Sequence, residues 1–314
     1  MKNDPIYPLK TDLADEKQEQ SAVSGAEIDG VSRRTKRIGD TEITELTIGS
    51  QTGAAVYGKP CGKYITAEFS KTVFYSAPLF EQHCKVLSRL LDSFLLPIMQ
   101  KKDGCILLAG LGNPAVLADS VGAQTVRNFI VTRHIKHADP TLYRTFGFRE
   151  TAAVVPDVYG NTGVEAAETL RGVTDALHPV CVIAVDALSS RKLSRLASAV
   201  QICDTGICPG SGVGNRRMEI SCETLGVPVI AVGIPTVVNA SSLLSDALSL
   251  CGVSADALPG EVKNALREQL GEDCYVSPKD CGVGIGHIAR MLGYALNATV
   301  HRSIAFSEMP DFLS

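Results

Sequence analysis

The sequence predicts an α/β fold with a mostly parallel central sheet flanked by helices and an N-terminal β-rich layer. Three observations carry that prediction. Strand and helix patterns alternate from about residue 105 onward. Two apolar runs, Cys105 to Ala109 and Val180 to Val185, have the length of buried parallel strands and lead into Gly110-Leu111-Gly112-Asn113 and into Asp186. Pro78 opens a strongly amphipathic helix, with Leu79, Val86, Leu87, Leu90, Leu91, Phe94 and Leu95 at helical spacing.

Taken in order, residues 1–26 are polar and charged, with Pro5 and Pro8 early and no period that would bury a face, which predicts a mobile arm. Short β-type runs at 42–48 and 64–69, separated by glycine-containing turns, predict the β-rich layer. The alternating region then reads as strand 105–109, helix 119–134, helix 164–177, and strands 180–185, 199–203 and 227–232. A helix follows over 239–251, capped by Asn239 or Ser241. Residues 252–277 read as irregular apart from a helical piece at 262–270, and Pro278 opens a last helix to about His301 with an apolar stripe of Ile285, Ile288, Ala289, Leu292 and Leu296. No internal repeat is present. The expected organisation is an N-terminal part, 13–101, joined to an α/β catalytic part, 102–314, as one compact unit.

The chain has 314 residues, 45% of them hydrophobic, which is enough for a substantial core. A formal net charge of -4, with both signs mixed along the chain, leaves no basic footprint for direct nucleic-acid binding. The longest apolar run, Val227 to Val238, is broken by Pro228, Gly233 and Pro235, so no membrane span is expected. Ten cysteines are scattered from Cys61 to Cys281 with no secretory pattern before them, which predicts reduced thiols and a cytoplasmic protein. Cys203, Cys208 and Cys222 form no paired C-x-x-C knuckle, so no zinc site is predicted.

The chemistry centres on two aspartates. Asp186 follows an apolar run and should emerge at the carboxyl edge of the sheet, where a charge must be solvated, paired or functional. Asp119 follows the glycine turn; as a helix N-cap it would need no function, and from its sequence both readings stay open. Two carboxylates within reach of one water would hold their protons unequally, which permits general acid and general base roles and suggests hydrolysis. Rival motifs fit less well. Gly110-Leu111-Gly112 lacks the third glycine of a dinucleotide fingerprint, since position 115 is Ala115. Asp204-Thr205-Gly206 has the triplet of the all-β aspartic proteases, but occurs once and amid βα alternation, so it reads as a turn. The loop from Pro209 to Arg217 is glycine-rich with a basic end but has no G-K-[ST]; its backbone N–H groups and Arg216 and Arg217 could hold a carboxylate of a bound peptide. Ser211 lacks a nucleophile-elbow setting, and His134 and His137 lack a zincin pattern.

Side by side, five stretches make the chain resemble the germination proteases of spore-forming bacteria over nearly its whole length. They are Lys10-Thr11-Asp12-Leu13-Ala14, Gly110-Leu111-Gly112-Asn113 with Asp119, Val131-Thr132-Arg133-His134, Val185-Asp186-Ala187-Leu188, and Gln201 to Ile207 leading into Pro209 to Asn215. The resemblance implies a fold like that of the hydrogenase-maturation proteases and an endopeptidase that starts the degradation of small acid-soluble spore proteins. It implies catalytic roles for Asp119 and Asp186, with no cofactor, while metal assistance stays open because the maturation enzymes hold a metal at equivalent positions. It further implies a zymogen that trims itself between Asp12 and Leu13, releasing a propeptide of residues 1–12. The loop residues Gly210, Ser211, Gly212, Asn215, Arg216 and Arg217 then stand near the substrate's acidic side chain. A homotetramer in the forespore cytoplasm or spore core, with no membrane and no direct nucleic-acid partner, completes the expectation. Two alternatives are a non-catalytic peptide-binding relative and a metal-dependent maturation protease.

Overall fold

The computed structural model describes residues 11–20, 28–70, 76–101, 103–254, 257–270 and 274–313. Its strands are β1 (Val31–Ile38), β2 (Thr41–Ile48), β3 (Gly62–Glu68), β4 (Ile106–Gly110), β5 (Thr151–Val154), β6 (Cys181–Ser190), β7 (Ala199–Cys203), β8 (Val229–Asn239) and β9 (Tyr275–Val276). They form one sheet in the order β1-β2-β3-β7-β8-β6-β4-β5, with β9 pairing β8. The helices are α1 (Ala14–Gln20), α2 (Gln51–Tyr57), α3 (Ala77–Lys101), α4 (Val121–Arg127), α5 (Arg133–Ala138), α6 (Pro140–Thr145), α7 (Tyr159–Thr162), α8 (Ala166–Leu177), α9 (Cys222–Leu225), α10 (Ala240–Leu250), α11 (Gly260–Leu270) and α12 (Cys281–Val300).

The α/β class holds, and the sheet is mixed. Parallel pairing is confined to β5-β4-β6-β8; β7 runs antiparallel to β8 and to β3, and the β1 to β3 meander continues the same sheet. The reason lies in the connections. Parallel neighbours need crossovers such as the one from β4 to β5 containing α4, α5 and α6, whereas a short turn joins β1 to β2 as a hairpin and a connection carrying α2 returns the chain to β3, antiparallel to β2.

Alternation along β6 separates two cores. Ile183 and Val185 face a cluster with Leu87, Leu91 and Leu95 of α3 and Leu292 and Leu296 of α12. Val182 and Ala184 face Leu170 of α8 together with Ile220 and Leu225. Asp186 continues this second set, two residues beyond Ala184. A third cluster, Leu46, Ile48, Tyr57, Tyr64, Cys203 and Ala231, takes in Ala14 of the N-terminal segment.

That last contact corrects the expected mobile arm over its described part. Thr11 to Glu16 are all buried, with Leu13 and Ala14 fully so. The rest of the expected arm, residues 1–10 and 21–26, lies outside the described residues. The helix expected over 119–134 is also corrected. A single 3-10 turn covers Leu117–Asp119, α4 spans Val121–Arg127, and α5 starts at Arg133. Between them Asn297 of α12 accepts from the Ile130 amide and donates to the Asn128 carbonyl, so the backbone there is satisfied without helix. Strands β6 and β8 run on past their expected ends to Ser190 and Asn239, β1 and β5 are strands that the sequence patterns did not mark, and of the two candidate caps Asn239 caps α10, accepting from the Ser241 amide.

Candidate active site

Strand order creates the crevice. From β4 the chain goes to β5 on one side, and β6 with β8 lies on the other, so the order reverses between β4 and β6. In open α/β sheets that switch point is where loops part and ligands bind. Pairing of β4 with β6 ends at Gly110 with Val185, while β6 runs on to Ser190 beside β8. Asp186 is therefore the first β6 residue beyond its β4 partner. It does not lie at the end of its own strand, and it is buried at 4% exposure rather than emerging at an open edge.

The loop after β4 brings the second carboxylate over this position. Gly112 takes φ 91°, a left-handed conformation, and any side chain there would run into Asp119. The Asn113 amide donates to Asp119 Oδ2 at 2.7 Å. Asp119 caps no helix: it closes the 3-10 turn, and Ser120 occupies the N-cap of α4 without a side-chain cap bond. The cap alternative is thus removed, and Asp119 is held half-buried by a backbone donor at the mouth of the crevice.

Asp119 and Asp186 line one cavity of about 470 Å³ together with Asp12, Asp157, Ser189 and the Pro209 to Gly212 loop. Burial and then the Asp119 charge push the Asp186 carboxyl up to about 8 from its ordinary 3.8, while its bond from the Ala187 amide pulls the other way. Asp119 is also raised, first by burial, with the Asn113 amide opposing and Asp157 adding to it. Two carboxyls lining one cavity, one of them strongly favouring its proton, have the unequal protonation that acid and base work requires.

The N-terminal segment occupies the crevice. Asp12 donates its amide to the Ser189 carbonyl at 2.9 Å, and its carboxylate accepts from the Ser189 amide at 2.9 Å and from Ser211 Oγ at 3.0 Å. Gly212 presses against that carboxylate so closely that a Cβ would fall inside it, and Tyr275 Oη fixes the Gly212 carbonyl at 2.8 Å. Further along, a buried Arg195 pairs with Asp15 at 2.7 Å and Glu16 at 3.1 Å, and with Glu68 of β3 at 2.5 Å. Glu16 also accepts from Ser190 Oγ and the Arg191 amide, which anchors α1 to the end of β6.

Of the loop residues named from sequence, Ser211 and Gly212 meet the acidic side chain. Asn215 closes the loop by donating its amide to the Gly210 carbonyl. Arg217 reaches the cavity wall but pairs with Glu165 at 3.7 Å and stacks on Tyr159; exposed Arg216 lines a separate cavity with Lys17 and Lys59. The carboxylate is thus held by a hydroxyl and a backbone amide, not by the two arginines. Sequence reasoning missed Ser189, Tyr275 and the role of Arg195; Ser189 acts through its backbone amide and carbonyl, which residue type does not mark. Among the described residues no group of three or more His, Cys, Asp or Glu side chains is arranged to hold a metal ion. Both oxygens of Asp12 are engaged by protein donors. The residues present do not fit a metal, and no step is derived through one.

A switch-point crevice in which two raised carboxyls stand beside a gripped peptide segment defines an α/β protein built to act on polypeptide. The sequence profile of the germination proteases matches residues 10–253. The germination protease of Caldanaerobacter subterraneus subsp. tengcongensis is 37% identical over 328 residues, covering 98% of this chain and 99% of its own. That of Clostridium perfringens is 32% identical over 331 residues, with 98% and 100% covered, and that of Bacillus cereus is 39% identical over 350 residues, with 95% of each covered. The chain belongs to the germination protease family, and it is a protease. Among the described residues no helix is long and apolar enough to cross a membrane.

Proposed function

We propose that this protease is an endopeptidase made as a zymogen, that it trims itself between Asp12 and Leu13, and that Asp119 and Asp186 carry the chemistry. The observation that carries this reading is the seat of Asp12. An acidic side chain sits in a cradle of Ser211, Gly212 and the Ser189 amide, in the same cavity as both carboxyls.

Below about pH 8 Asp186 keeps its proton. Asp119, whose anion the Asn113 amide supports against the burial that raises its carboxyl, is then the base that takes a proton from water, and Asp186 is the acid that serves the departing amine. Asp12 in the acid cradle fills the place of a substrate's acidic residue, which accounts for an inactive precursor. Substrates are small acid-soluble spore proteins carrying an acidic, then an apolar residue, then alanine, the order of Asp12-Leu13-Ala14. The same reading carries cofactor-free catalysis, a homotetramer, for which light scattering is the test, and action in the forespore cytoplasm or spore core.

The test is cleavage of a small acid-soluble spore protein by trimmed wild type, Asp119→Asn and Asp186→Asn. Either substitution should abolish cleavage with the fold retained. Full activity in both variants would refute the pair, and binding without cleavage by the wild type would turn the reading to a peptide-binding relative.

A further inference from the structure

We propose that Gln201 sets the register of the peptide to be cut and polarises its scissile carbonyl. This rests on the cut falling between Asp12 and Leu13. The Gln201 side chain, buried on β7 at 6% exposure, spans that bond. Its Oε1 accepts from the Ala14 amide at 2.7 Å, and its Nε2 faces the Asp12 carbonyl oxygen at 3.4 Å. The two contacts fix the orientation of the amide, since the end that meets an N–H must be oxygen and the end that meets a carbonyl must be nitrogen. A glutamine is suited to this task because it offers one donor and one acceptor without adding a charge beside Asp186.

Sheet register gives the placement a second footing. Gln201 is opposite Gly233 of β8, and Gly233 is opposite Asp186 of β6. Residues in one row across neighbouring strands share a face, so Gln201 and Asp186 stand on the same side of the sheet with a residue lacking a side chain between them. The row continues to Thr66 of β3, whose hydroxyl meets Asp15. The segment from Asp12 to Asp15 therefore runs across β6, β7 and β3, held at Ser189, Gln201 and Thr66 in turn.

In the reaction, water loses a proton to Asp119 as its oxygen bonds to the Asp12 carbonyl carbon. The displaced electron pair moves onto the carbonyl oxygen, where the Gln201 N–H faces growing negative charge and its long contact shortens. Collapse breaks the bond to the Leu13 nitrogen, which takes a proton from Asp186. The products are the amine of Leu13 and the α-carboxylic acid of Asp12, which becomes the carboxylate by returning its proton to the ionised Asp186. Gln201 gains most as charge develops, so it contributes to the rate more than to binding.

The test compares full-length wild type, Gln201→Met and Gln201→Glu by the first-order loss of residues 1–12 in intact mass, with circular dichroism as the check on folding. Methionine removes donor and acceptor, while glutamate keeps the acceptor for Ala14 and loses the donor. Both should trim roughly 10²–10³-fold more slowly. On a peptide containing Asp-Leu-Ala, trimmed Gln201→Glu should lose kcat with KM little changed. If either variant fails to fold, Gln201→Asn, which keeps the amide but shortens its reach, takes its place and should also slow trimming and scatter the cut position. Trimming within threefold of wild type in the folded variants, or a change in KM alone, overturns the proposal. A wild type that never cuts at Asp12 instead overturns the reading of the site on which it rests.

Discussion

At the scale of single residues, the buried Asp186 carboxyl makes stability depend on pH. Its folded value of about 8 lies above the ordinary 3.8, so between those values the folded chain binds more protons than the unfolded one. Stability contributed at this residue is therefore complete at low pH and is lost as pH rises through about 8. Asp186→Asn should raise the melting temperature, more at pH 8 than at pH 4, and a thermal melt at each pH reads this directly. An equal shift at both pH values would mean that the carboxyl is not held protonated. Ser211 and Gly212 make a second residue-scale case. Ser211→Ala removes one hydrogen bond to a carboxylate, worth about 1.5–3 kcal/mol, and should weaken KM for acidic peptides far more than for the same peptide carrying glutamine. Gly212→Ala puts a Cβ where the carboxylate lies, and should abolish the preference for an acidic residue. Asp186 was legible in the sequence because an aspartate ending an apolar run is conspicuous. The Ser189 amide was not, since a backbone donor leaves no mark in residue type.

At the scale of elements, the N-terminal segment shows what composition hides. Asp12, Asp15 and Glu16 make the arm look solvated, yet each carboxylate has a partner some 170 residues or more away in sequence: Ser211, Arg195 and Ser190. Arg195→Met should release this segment, because two buried acids would lose their counterion at a cost of about 3–5 kcal/mol. Hydrogen exchange at the Leu13 and Ala14 amides checks it: fast exchange is expected in the variant and slow exchange in the wild type. Protection unchanged in the variant would show that the hydrogen bonds to Ser189 and Gln201 suffice. The interrupted helix at Asn128 teaches the same lesson. Phe129 and Ile130 continue an apolar period, and the break comes from the Asn297 side chain, more than 160 residues away. Where the period agreed with local packing, as in α3, α8 and α12, the elements were readable from the sequence.

At the scale of the whole molecule, one sheet carries both the N-terminal meander and the crevice that holds Asp119, Asp186 and Asp12. β3 pairs with β7 from Tyr64 with Cys203 to Glu68 with Ala199, and α3 shares its core with α12. Calorimetry should accordingly record a single unfolding transition for the full chain; two separated transitions would divide it near residue 101. Alternation of strands and helices foretold the α/β class. The antiparallel insertion of β7 between β3 and β8 was not legible, because strand order depends on which edges meet and not on the pattern within any strand. The reversal of order between β4 and β6 is the feature that turns this sheet into a site.

The central claim is that the crevice holds the chain's own Asp12–Leu13 bond as its first substrate. The most direct measurement is intact mass of purified full-length protein over time, for wild type beside Asp186→Asn. The account predicts loss of Met1 to Asp12 in the wild type alone, leaving a chain that begins at Leu13. An unchanged wild-type mass, or the same trimming in Asp186→Asn, would contradict it.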